Sequence, residues 1–197
     1  MFDGKFRKGV DGLTAPVGRG LAAIGLTANA LTGFGLVSSG ASAIAIGTGW
    51  LGIGTALLVV TALADLFDGP VATAQQSSSS RGAFFDSTAD RVADGLLLGG
   101  IAWYLAGEHG GRWAVLPMAV LGVSALVSYE RAKAELLGFE AKGGLMERAE
   151  RTVVLAVAVA FEVLLVPLLW LLLALTSLTA VMRFAKVWHQ ASAHISR

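Results

Sequence analysis

The stretch from Thr152 to Met182 is mostly apolar, with Glu162 its one charged residue, and Pro167 interrupts it. As one helix it would extend about 46 Å at 1.5 Å per residue, well beyond a hydrocarbon core of roughly 30 Å. It is therefore read as two crossings, Glu147 to Val163 and Pro167 to His189. Four more apolar blocks precede it: Ala28 to Gly47, Trp50 to Ala74, Gly82 to the "GEHGG" turn, and Arg112 to Leu137. Composition agrees. The 197 residues are 55% hydrophobic and 15% charged, where a soluble domain carries about 25% charge, and the mean hydropathy is +0.68. The absence of cysteine excludes disulfides and thiolate metal sites. The expected fold is an all-α integral membrane protein with a six-helix bundle over residues 28–189, and residues 1–197 form a single domain.

Charge placement sets the expected orientation. With the N-terminus inside, Lys5, Arg7, Lys8, Arg19, Arg81, Arg91, Arg131, Lys133, Lys142, Arg148, Arg151, Arg183, Lys186 and Arg197 all face the cytoplasm. Of the 15 basic residues only Arg112 falls outside, the bias that the positive-inside rule predicts. Five crossings would put the C-terminal charges outside. Both termini of a multi-pass cell-membrane protein are therefore expected in the cytoplasm. Residues 1–23 interleave Phe2, Phe6, Val10, Leu13, Val17 and Leu21 with Lys5, Arg7, Lys8 and Arg19. That pattern suits an amphipathic juxtamembrane helix lying in the interface, although Gly4, Gly9 and Gly12 weaken it and leave a flexible basic leader as the alternative. No uninterrupted apolar core marks a signal peptide. Trp103, Tyr104, Trp113, Trp170 and Trp188 have the character of interface anchors, and His109 that of a solvated loop residue.

Within this apolar chain, residues 65–90 read "DLFDGPVATAQQSSSSRGAFFDSTAD". Asp65 and Asp68 are three apart and Asp86 and Asp90 four apart, so each pair shares a helix face. Two antiparallel helices joined by a short loop would gather all four carboxylates at one depth near the cytoplasmic surface. Ionised and unpaired, they would repel one another at a costly place. Hard oxygen ligands favour Mg²⁺, Mn²⁺ or Ca²⁺ over zinc, and a two-metal site can clamp a diphosphate. Gly69 and Gly82 fall on the same segments and would let a ligand approach the backbone. A proton relay or a structural ion network remains the other reading of these acids.

The spacing resembles the signature of the CDP-alcohol phosphotransferases, D-x2-D-G-x2-A-R-x8-G-x3-D-x3-D. Asp65, Asp68, Gly69, Ala72, Gly82, Asp86 and Asp90 match it with every interval kept, and "GLTANALT" is similar to the family's lead into the first crossing. The resemblance implies that Asp65, Asp68, Asp86 and Asp90 bind two Mg²⁺ ions, or Mn²⁺. It also implies that Asp90 is the general base for the acceptor hydroxyl. Asn29, Ala30, Leu31, Thr32, Asp65, Gly69, Ala72, Thr73, Ser79 and Gly82 would line the CDP-diacylglycerol site. Thr73 departs from the signature, which has arginine there, and it lacks that side chain's charge and forked donors. Weaker donor binding, an altered donor or a catalytically silent homologue would each follow from that change, unless Arg81 compensates.

Further on, "SYERAKAE", "GG" and "ERAER" are similar to actinobacterial phosphatidylinositol phosphate synthases, which join CDP-diacylglycerol to inositol phosphate. By that resemblance Arg131, Arg151 and Arg183 would hold the acceptor phosphate, within a basic set that includes Lys133 and Arg148. Singly, each also fits a positive charge beside anionic headgroups. Glu130 departs from the usual apolar residue. Glycerol 3-phosphate is the rival acceptor, since it too carries a phosphate. A cation-coupled transporter is the reading from another class, but it predicts internal repeats that are not visible. The family likeness further implies a homodimer among membrane lipids. No nucleic-acid partner is expected.

Overall fold

The computed structural model describes residues 5–77, 79–141 and 143–195. Residues 1–4 of the expected leading helix and the expected inner-face charges Lys142 and Arg197 lie outside them, as do the side chains of residues 5–13. The described residues are helical, with no strand: α1 (Lys5–Ala23), α2 (Ala28–Gly47), α3 (Leu51–Ala74), α4 (Ser80–His109), a 3-10 turn (Gly111–Ala114), α5 (Val115–Leu136), α6 (Arg148–Ala160) and α7 (Glu162–Ile195). They pack as two compact units that divide between Tyr104 and Leu105.

Four segments are long and apolar enough to cross a membrane: Ala28–Gly47, Leu51–Ala74, Gly111–Leu136 and Glu162–Ala193. The other two expected crossings differ from them in kind. α4 has 30 residues but carries Asp86, Asp90, Arg91 and Asp94 in its first half. α6 has 13 residues, about 20 Å of helix.

In the N-terminal unit, α2 and α3 form an antiparallel hairpin around a tight turn where Gly49 takes φ +85°. Small hydroxyls seal it. Ser38 donates to the Leu57 carbonyl at 3.0 Å, Ser42 to that of Gly54 at 2.7 Å and Thr61 to that of Gly35 at 3.3 Å. In lipid, helix association relies on such close packing and interhelical hydrogen bonds. α1 lies on α3, with Gly18 against Pro70. α4 closes on α2 where Gly100 meets Ala43: a Cβ at Gly100 would sit 2.5 Å from the Ala43 carbonyl oxygen. Gly100→Val should therefore destabilise the protein by about 1–3 kcal/mol or more, read as a lower Tm in detergent. Gly99→Ala is the matched control, since a Cβ there meets nothing within 4 Å.

Tyr104 is only 7% exposed and lies near Gly49 in the hairpin turn. The expectation of a surface anchor is wrong for this residue because its ring is turned into the packing. Trp103, Trp113, Trp170 and Trp188 are exposed.

In the C-terminal unit, α7 packs against both α5 and α6. The expected break at Pro167 is absent. The chain turns instead at Phe161, with φ −121° and ψ 90°, and α7 runs from Glu162 straight through Pro167. The helix over the fifth expected crossing, α6, thus ends at Ala160 rather than Val163, and that over the sixth, α7, starts at Glu162 rather than Pro167. Pro167 is the sixth residue of α7, and the helix runs through it at the loss of one hydrogen bond, the one its missing N–H would give to the Val163 carbonyl. A carboxylate in the first turn complements the positive helix end, which favours a start at Glu162. The segment between α5 and α6 is strapped to α7. The Thr179 hydroxyl accepts from the backbone N–H groups of Leu145 and Met146, both at 3.2 Å. Gln190 donates to the Glu140 carbonyl at 2.8 Å and accepts from its N–H at 3.0 Å.

Candidate active site

Asp65 and Asp68 lie one turn apart near the end of α3, and Asp86 near the start of α4. One oxygen from each carboxylate lies within 4.8 Å of the others. The short return between the helices makes this possible. The N–H of Gln75 bonds to the Val71 carbonyl at 3.0 Å to end α3, and Gln76 adopts φ +51°. Ser79 then caps α4, its hydroxyl accepting from the Gly82 N–H at 3.1 Å. From α2, the Thr32 hydroxyl donates to Asp68 Oδ2 at 3.0 Å and orients that carboxylate. Asp90 is one turn further along α4, outside this trio, with Oδ2 3.4 Å from Arg91 Nη1. Asp65 is exposed and Asp68 and Asp86 are half-buried, and three carboxylates this close repel one another. An all-oxygen donor set of that charge fits a hard divalent cation.

Asp68 and Asp86 also form part of the wall of a cavity of about 400 Å³. The start of α2 contributes Thr27, Ala28, Asn29 and Thr32. Thr27 is the N-cap, its hydroxyl accepting from the Ala30 N–H at 3.2 Å. α3 adds Gly69 and Ala72, the return adds Gln75, Ser77 and Ser79, and α4 adds Gly82 and Ala83. Two helix starts thus open on one cavity. Their first N–H groups lack intrahelical acceptors and carry partial positive charge, which suits phosphate oxygens.

The basic residues belong to the C-terminal unit. Arg183 is 4% exposed. Its Nη1 donates to the Val127 carbonyl at 2.8 Å and its Nη2 to that of Gly143 at 3.1 Å, with Glu147 Oε1 3.8 Å from Nη2. The charges of Glu147, Arg131, Glu130 and Arg151 all act on it. Arg151 is 5% exposed. Arg131 is exposed, and its Nε bonds to Glu135 Oε1 at 3.0 Å. Lys133 is exposed and Arg148 half-buried.

A family model described as CDP-alcohol phosphatidyltransferase matches residues 25–188. The chain belongs to the CDP-alcohol phosphatidyltransferase family. Among its relatives, the phosphatidylinositol phosphate synthase of Mycobacterium tuberculosis is 33% identical over 186 residues, covering 89% of this chain and 86% of the relative. That of Corynebacterium glutamicum is 34% identical over 188 residues, covering 90% and 84%. The crystal structure of the M. tuberculosis enzyme with CDP-DAG bound superposes with a TM-score of 0.80 at 30% identity, covering 89% of this chain and 93% of that one. Its structure in complex with manganese and citrate gives 0.81, covering 89% and 88%.

Of the donor-site residues expected of a CDP-alcohol phosphatidyltransferase, Asn29, Thr32, Gly69, Ala72, Ser79 and Gly82 line the cavity. Ala30, Leu31, Asp65 and Thr73 do not. Ala30 and Leu31 spend their N–H groups on Thr27 inside the first turn. Thr73 turns its hydroxyl back to the Gly69 carbonyl at 3.0 Å on an exposed face. Sequence reasoning did not name Thr27, Ala28, Gln75, Ser77 or Ala83. Thr27 alone carried a signal, a threonine placed just before an apolar helix.

Proposed function

We propose that the protein is a divalent-metal-dependent membrane transferase that moves the phosphatidyl group of CDP-diacylglycerol to inositol phosphate, giving phosphatidylinositol phosphate and CMP. The observation that carries this reading is the convergence of Asp65, Asp68 and Asp86 beside a cavity that collects two helix starts. The relatives named as phosphatidylinositol phosphate synthases favour inositol phosphate over glycerol 3-phosphate as acceptor.

In this reading Asp65, Asp68 and Asp86, joined by Asp90, hold two divalent ions, Mg²⁺ or Mn²⁺. When bound, these offset the charge of the diphosphate and of the departing CMP. The starts of α2 and α4 receive phosphate oxygens, and Gly69, Ala72 and Gly82 leave room for the nucleotide. Asp90 takes the proton from the acceptor hydroxyl. The freed oxygen bonds to the phosphorus bearing diacylglycerol, the bond from that phosphorus to the CMP oxygen breaks, and CMP leaves with the electron pair. Arg131, Arg151 and Arg183 hold the acceptor's phosphate through charge-assisted hydrogen bonds, and Lys133 and Arg148 add positive charge.

The same reading places the protein in the cell membrane with its site and both termini toward the cytoplasm. α4 and α6 join the four apolar segments as the third and fifth of six crossings, and α1 lies in the interface. The family match runs from residue 25 to 188 through both units, which supports one catalytic domain. The assembly is a homodimer.

Purified protein in detergent, given CDP-diacylglycerol, inositol phosphate and Mg²⁺, should release CMP. EDTA should stop the release, and excess Mg²⁺ or Mn²⁺ should restore it. Release with glycerol 3-phosphate but not with inositol phosphate overturns the acceptor. No release with either overturns the donor.

A further inference from the structure

α3 and its C-cap residue present Asp68, Gly69, Ala72 and Gln75 to the cavity. Steps of three or four keep side chains on one helix face, so this strip reads as an acid, two small residues and an amide. Gln75 lies about 10 Å along the axis from Asp68, at 1.5 Å per residue. A nucleoside 5′-diphosphate separates its phosphates from its base by a ribose, a span of this order. Gly69 keeps the middle of the strip open, since a Cβ there would meet nothing within 4 Å.

The amide of Gln75 is also oriented. Its Nε2 donates to the Leu26 carbonyl at 2.8 Å. A carbonyl can only accept, so that partner decides which end of the amide is nitrogen and leaves Oε1 as the open acceptor. Thr73, where the family signature has arginine, takes no part in the cavity wall. Gln75 is therefore the polar side chain at the end of the strip away from the acids.

We propose that Gln75 reads the nucleobase: Oε1 accepts a hydrogen bond from the exocyclic amine of cytosine and so selects cytidine over uridine nucleotides. This rests on the donor proposed above. Where cytosine has an amine, uracil has a carbonyl oxygen, which would set two acceptors face to face and leave both unpaired.

The test compares CMP and UMP as inhibitors of CMP-releasing transfer by the full-length protein in detergent with Mg²⁺, reading release from labelled CDP-diacylglycerol. The parent should be inhibited by CMP at concentrations about tenfold or more below those of UMP. Gln75→Leu should bring the two inhibitors within about twofold of each other and raise the KM for CDP-diacylglycerol more than it lowers kcat. Loss of the tether to Leu26 alone would weaken both inhibitors equally, so the ratio separates base reading from a structural role. Should the leucine variant not fold, Gln75→Met, unbranched and close in volume, gives the same comparison. An unchanged ratio in a folded variant, or no preference in the parent, overturns the inference and leaves the donor reading standing. A parent that releases no CMP with either acceptor overturns the donor reading itself.

Discussion

Asp68→Asn should lower CMP release by about a thousandfold or more while leaving the α2–α3 hairpin folded. A thousandfold is about 4 kcal/mol of activation free energy, within the several kcal/mol that metal-assisted charge stabilisation supplies. The fold should survive because the asparagine oxygen still accepts from the Thr32 hydroxyl, which now lies 3.0 Å from Asp68 Oδ2. Asp65, Asp68 and Asp86 hold oxygens within 4.8 Å of one another, so removing one charge also relieves repulsion. The Tm in EDTA should therefore stay level or rise, while the stabilisation gained by adding Mg²⁺ should shrink. An Asp68→Asn protein that turns over at the parental rate would remove the carboxylate trio from the mechanism.

The second large effect is expected at Arg183. Truncation to alanine strips donors from the Val127 and Gly143 carbonyls and leaves Glu147 without this partner. Breaking a buried charged arrangement from one side costs about 3–5 kcal/mol, so Arg183→Ala should show a marked fall in Tm and a higher KM for inositol phosphate. Arg131→Ala should separate the two roles. Arg131 is exposed and pairs with Glu135, one turn away on α5, and such surface pairs contribute little to stability. Its KM for inositol phosphate should rise without a loss of Tm. A parental Tm in Arg183→Ala would show that the two carbonyl contacts do not anchor α7 to α5 and to the segment that follows α5.

Much of the candidate site was legible because its chemistry repeats at helical spacing. Asp65 and Asp68, then Asp86 and Asp90, announce two helix faces, and Gly69 and Gly82 mark where a ligand can approach. What stayed hidden depends on how helices end. Ser77 reaches the cavity because the chain reverses through a left-handed residue at Gln76, and glutamine at that position gives no warning of it. Pro167 looked like a helix breaker, yet Glu162 held the stronger instruction, a carboxylate where a new helix needs one. Arg183 read as a ligand for phosphate, but a long side chain can also reach main-chain carbonyls on distant segments. No local pattern records which it does. Tyr104 shows the same limit for aromatic residues: its type suits an interface, and its surroundings bury it.

The hydroxyl-to-carbonyl bonds between α2 and α3 also bear on biosynthesis. Every partner in that seam is made before α4 emerges, so the hairpin can enter the bilayer as a prefabricated piece, with Asp65 and Asp68 already aimed. Asp86 arrives only with the next helix. The charge-rich corner is therefore completed late, and a nascent chain halted before residue 86 would hold two of the three acids and grip a cation far less tightly than the finished protein.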